Sequence, residues 1–141
     1  MLLSNLTRNV EGADRMMQSD NEDLRGLHMR KLLHWYTNNQ VTSAESAGVE
    51  WDHVAYITFN VSQAQDGRDL HRRRSTGILA QLIPQLRSAS VLRRRGTAGT
   101  LYNMCFEEED HYWLLHDGWS GGLFYRGEDW NGSTNLDGGS G

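Results

Sequence analysis

The stretch Trp51-Asp52-His53-Val54-Ala55-Tyr56-Ile57-Thr58-Phe59-Asn60-Val61 decides how the chain is read. Ala55, Ile57, Phe59 and Val61 alternate with Val54, Tyr56, Thr58 and Asn60, and β-branched and aromatic side chains dominate. Such a segment predicts a β-strand, because branched and aromatic residues pack well on a pleated surface. Three shorter stretches of the same character follow at 100–106, 111–117 and 122–126. Turn-like residues separate them at 107–110 and 118–121, which predicts a three-stranded meander.

Two helices complete the expectation. Asn21 has the character of an N-cap, Glu22 and Asp23 suit a first turn, and Leu24, Leu27, Leu32, Leu33, Trp35 and Tyr36 form a broad apolar stripe. Residues 69–92 read as the longest helix, with Ile78, Leu79, Leu82, Ile83 and Leu86 on its core face. Pro84 interrupts it, and an interior proline costs about 3 kcal/mol, so a kink or a division near Leu82 is expected. The predicted fold class is α+β: an antiparallel sheet of about four strands packed with two main helices. Residues 1–126 would form one domain. Residues 127–141, with five glycines, read as a flexible tail.

The chain has 141 residues, one cysteine and a formal charge of −4. This excludes a disulfide scaffold and a multidomain enzyme. Divided along the chain, the charge is uneven. Residues 1–67 carry five basic and nine acidic groups, and 68–95 carry eight arginines against Asp69 alone. Residues 96–141 carry Arg126 against eight acids. The N-terminal Met1-Leu2-Leu3 runs straight into Ser4-Asn5, and no run reaches the roughly 18–20 apolar residues of a spanning helix. A cytoplasmic protein without membrane contact is expected, or one packaged in a particle assembled there.

Four features bear on function. Arg72, Arg73 and Arg74 precede the apolar helix, Arg93, Arg94 and Arg95 follow it, and Arg87 lies between. On one straight helix the two triplets would stand roughly 30 Å apart, a spacing that suits a polyanion such as nucleic acid. The competing reading pairs them with the chain's own acidic C-terminal third. Cys105 is the only thiol, and in the predicted hairpin neither His111 nor His116 reaches it. His28, His34, His53 and His71 could approach only through tertiary packing. A buried, inert cysteine is therefore expected, with a Cys105-dependent hydrolase or transferase as the alternative function.

The run Glu107-Glu108-Glu109-Asp110-His111 lacks the alternation of a calcium loop and the spacing of a zinc site. It reads as a solvated acidic turn, and no metal or cofactor is expected. Finally, both faces of the predicted meander are apolar, so one must be covered. Trp113, Trp119, Phe124 and Tyr125 are the candidate protein interface. Together these features suggest a small non-enzymatic accessory protein, acting through an arginine-rich helix and an aromatic sheet face. Its partner would be another protein, a second copy or nucleic acid, in the manner of a virion or nucleoprotein assembly component.

Overall fold

The stretch that reads as a strand is helical. The computed structural model describes residues 1–38, 49–73 and 77–116, and among these it contains no strand. The helices are α1 (Leu2–Leu6), α2 (Val10–Met17), α3 (Leu27–Asn38), α4 (Val49–Asp52), α5 (Val54–Val61), α6 (Gln65–Arg72), α7 (Ile78–Leu82), α8 (Val91–Met104) and α9 (His111–His116). Short 3-10 turns at Ile83–Arg87 and Glu108–Asp110 link the last three. No helix among the described residues is long and apolar enough to cross a membrane.

The α+β expectation is therefore corrected to an all-helical fold. Its error has a physical source in α5. Val54, Ala55, Ile57, Thr58 and Val61 are all buried, a helical spacing of one, three, four and seven residues. Helices enclose α5 on several sides, so both of its alternating sets are apolar and a period of two fits as well as a period of 3.6. The expected strand at 100–106 is largely the end of α8, and that at 111–117 is largely α9. The acidic run between them forms a 3-10 turn rather than a hairpin loop. The third expected strand and the 127–141 tail lie outside the described residues.

The predicted long helix is also broken up. Helix α6 ends at Arg72, α7 ends at Leu82, Pro84 sits in a 3-10 turn, and α8 begins after Ser90. The Ser90 side chain caps α8 by accepting from the Arg93 amide. Asn21 accepts from the Asp23 and Leu24 amides, but it caps a turn; α3 starts only after Gly26, whose φ is +68°.

The core has two parts. Met17, Met29, Leu33, Tyr36, Ala55, Ile57, Val61, Leu70, Ile78 and Leu82 lie in the first. Leu79, Ile83, Leu101, Met104, Trp113 and Leu114 form the second. Helix α5 lies closest to α8, and two glycines permit the approach. A Cβ on Gly96 would stand 2.4 Å from the Ala55 backbone, and one on Gly99 would stand 2.6 Å from the Phe59 ring.

Candidate functional site

Helix α5 and its C-cap Ser62 carry three polar residues, Thr58, Asn60 and Ser62, and they set the orientation of its neighbours. At about 100° per residue, Thr58 and Ser62 fall on one side of a helix and Asn60 on the other. On the Asn60 side, its amide nitrogen donates to the Ser4 carbonyl at 2.9 Å and to Thr7 Oγ1 at 3.1 Å. Helix α1 is thus turned inside out. Its Ser4 and its C-cap Thr7 are buried, while Leu2, Leu3 and Leu6 face outward, with Leu2 72 % and Leu6 53 % exposed.

Helix α8 borders the opposite side of α5. Asn103 donates to the Phe59 carbonyl at 3.2 Å and to Ser62 Oγ at 3.0 Å, and Thr100 Oγ1 lies 3.2 Å from Thr58 Oγ1. Thr97, Thr100 and Asn103 are buried by this contact. Outward stand Tyr102 and Phe106, 65 % and 60 % exposed, their rings edge-to-face at 5.1 Å. Tyr112 and Leu115 on the outer side of α9 are exposed as well. The layer α1–α5–α8 therefore ends in a leucine edge on one side and an aromatic edge on the other. Small polar groups hold each edge helix from within.

The arginines are largely committed inside the chain. Arg93 is buried, with Nε donating to Asp52 Oδ1 at 2.5 Å and Nη1 to Gln85 Oε1 at 3.0 Å. Its guanidinium lies 4.6 Å from the centre of the Tyr36 ring. Burial pushes the Tyr36 hydroxyl up to about 12, partly offset by the Arg93 charge. That hydroxyl and Thr97 Oγ1 are neighbours, yet neither closes a hydrogen bond. Arg94 donates to the Ser88 and Ala89 carbonyls at 2.6 and 2.8 Å. Arg72 joins Asp110 and Asp69, both at 3.0 Å, and Arg68 joins Glu107 at 2.6 Å. The hydrogen bond that Arg72 donates to Asp110, with the Asp69 charge beside it, raises the Arg72 pKa further. Arg73 and Arg87 are exposed at the surface and engaged in further contacts, and Arg95 is exposed. Arg74 lies outside the described residues.

The arginines within the described residues are thus spread over separate elements rather than ranged along one helix. Among the interface candidates, Trp113 is buried in the second core part. Trp119, Phe124 and Tyr125 lie outside the described residues. Cys105 is exposed, contrary to the buried thiol expected, and His111 Nε2 meets its carbonyl oxygen at 2.7 Å. His71 is fully buried on α6, donating from Nδ1 to the Gly67 carbonyl at 2.6 Å, while Nε2 has no partner. Burial lowers its pKa. Among the described residues, no group of three or more His, Cys, Asp or Glu is arranged to hold a metal ion. A surface recess beside α2 is lined by Glu11, Asp14, Arg15, Ser19 and Asp20.

Sequence reasoning missed Leu2, Leu3, Leu6, Tyr102 and Phe106 as site residues. The leucine spacing in Leu2-Leu3-Ser4-Asn5-Leu6-Thr7 carries a helical signal, but it names only two faces and not which one is buried.

Comparison with known proteins bears on these edges. The profile of a domain of unknown function, DUF383, matches residues 1–121, a span that includes both edges. A protein HGH1 homolog of Dictyostelium discoideum is 33 % identical over 117 residues, covering 82 % of this chain and 32 % of that protein. Its counterpart in Xenopus laevis is 30 % identical over 115 residues, covering 82 % and 30 %. One in Xenopus tropicalis is 39 % identical over 66 residues, 47 % of this chain and 18 % of that protein. The chain thus spans about a third of the length of the first two relatives. No solved structure matches. These relatives are proteins of a slime mould and of frogs, which overturns the expectation of a virion or nucleoprotein assembly component. The aromatic sheet face on which that expectation relied does not exist among the described residues.

Proposed function

The chain belongs to the DUF383 family, and from that premise we propose that it is a non-enzymatic helical module that joins other protein through its two apolar edges. One observation carries this reading: α1 buries Ser4 and Thr7 while turning three leucines to solvent. Exposing apolar surface is unfavourable by about 25 cal/mol per Å², so an edge helix laid this way gains only when its outer face is covered. The aromatic edge supports the same reading, since clustered aromatic side chains are frequent anchors of protein interfaces. The relatives' greater length is compatible with such a module adjoining further chain, and a separate protein partner would use the same surface.

The test is site-specific photocrosslinking in an extract of cells that express the chain. A benzophenone-bearing residue in place of Leu6 or Tyr102 is expected to give protein adducts. The same residue in place of the exposed Glu22 should give none. Absence of adducts at both edges would overturn the reading.

A further inference from the structure

We propose that residues 107–116 form a releasable strap over the second part of the core, latched to α6 by two ion pairs that salt loosens. The inference does not depend on the edge reading, because it concerns what α9 covers rather than what covers α9.

The latch is matched in register. Arg68 and Arg72 stand four residues apart on α6 and share one of its sides. Glu107 and Asp110 stand three residues apart across the 3-10 turn, and at three residues per turn they too share a side. Arg68 Nε meets Glu107 Oε1 at 2.6 Å and Arg72 Nη1 meets Asp110 Oδ2 at 3.0 Å. Successive turns of α6 therefore hold both ends of the acidic turn. The four side chains are 15 to 32 % exposed, which lets dissolved ions reach them.

The strap is weak in itself. A six-residue helix and a three-residue turn are both too short to persist alone. The backbone N–H groups of Phe106, Glu107 and Asp110 reach only three residues back, to Asn103, Met104 and Glu107. Trp113 and Leu114 are buried, while His111, Tyr112 and Leu115 are exposed. No residue of 107–116 belongs to the first part of the core. When the strap lifts, Leu79, Ile83, Leu101 and Met104 stay with α7 and α8, and α7 keeps them tied to the first part through Ile78 and Leu82.

Release also strands no charge. Arg72 retains Asp69 at 3.0 Å, and Arg68 retains the Gln63 carbonyl and Gln65 Oε1, both at 2.7 Å. Glu107 and Asp110 pass into water beside the exposed Glu108 and Glu109. Parting Arg93 from Asp52, by contrast, would leave a carboxylate inside the protein. The rim pairs avoid the desolvation penalty that keeps such a buried pair closed.

The test is native-state hydrogen exchange of the full chain, read by mass spectrometry over a urea series. Without urea, the amides of 107–116 are expected to exchange at least about tenfold faster than those of α5, through an opening that urea hardly promotes. The amides of α5 should follow global unfolding, with its full urea dependence. Raising salt from about 0.05 to about 1 M should speed exchange in the strap about three- to tenfold. Arg68→Ala with Arg72→Ala should speed it by a similar factor in low salt, and should abolish the salt effect.

Exchange of 107–116 with the same urea dependence as α5 would overturn the strap, since these residues would then leave only with the whole domain. A urea-insensitive opening that neither salt nor the double variant alters would overturn the latch. The salt series uses the native sequence, so it decides the question even if the double variant does not fold.

Discussion

Arg93 and Arg72 begin as members of similar triplets and end in opposite environments. Arg93 is enclosed by α3, α4 and the 3-10 turn after α7, meeting Asp52, the Tyr36 carbonyl, the Tyr36 ring and Gln85. Arg72 lies at the rim, about a third exposed, where it bridges α6 to the acidic turn before α9. The same side chain thus serves as an interior tie in one place and a surface clamp in the other. The difference lies in helical register. Arg93 shares its side of α8 with Gly96, Thr97 and Thr100, all buried against α5, whereas Arg94 and Arg95 are rotated away from it.

The contrast can be broken most severely at the interior. Arg93→Ala strands the Asp52 carboxylate in the core and is expected to cost about 3–5 kcal/mol in denaturant unfolding. The pair Arg93→Met with Asp52→Leu should recover much of that loss, because it leaves no buried charge behind. A loss near that of a surface pair would place Arg93 with Arg72 after all.

Next in size is the response to acid. His71 is held neutral by burial, so its folded pKa lies below the ordinary 6.5. Above that value both folded and unfolded imidazoles are neutral, and the group contributes no pH dependence. As pH falls below 6.5, the unfolded chain takes up a proton that the folded chain refuses. Stability should then drop by at most about 1.4 kcal/mol per pH unit until the folded pKa is reached. His71→Leu should remove that slope in urea titrations between pH 7 and 5, whereas Arg72→Ala should leave it in place.

A smaller effect of opposite sign is expected at Tyr36, whose buried hydroxyl closes no hydrogen bond. Tyr36→Phe removes that group while keeping the ring beneath Arg93, and should raise stability by about 1 kcal/mol. At the rim, Arg72→Ala or Arg68→Ala should cost about 0.5–1 kcal/mol each, and the cost should shrink in 1 M salt. The Arg93 variant should show the same loss at both salt concentrations.

Part of this was legible in the chain. The uneven charge raised the question of internal pairing, and the acidic run at 107–110 does pair with arginines, though with Arg68 and Arg72 on α6 rather than with the triplet after Ser90. The apolar stripe through Leu33 and Tyr36 reads correctly as helix, since its period of 3.6 has no competing alternation. The fold class was not legible because Val54–Val61 satisfies both periods at once. The edges were not legible for a different reason. Whether Ser4 or Leu6 faces inward depends on Asn60, more than fifty positions away, and on the hydrogen bonds it offers. A local pattern cannot carry that information.

Helix α7 has a consequence for how the domain comes apart. It has only five residues, too few to hold a helix in water alone. Yet Ile78 and Leu82 belong to the first part of the core and Leu79 to the second. Neither part can open without releasing side chains on which the other depends. The two should therefore exchange their amide protons as one cooperative unit, and lose their structure in a single transition.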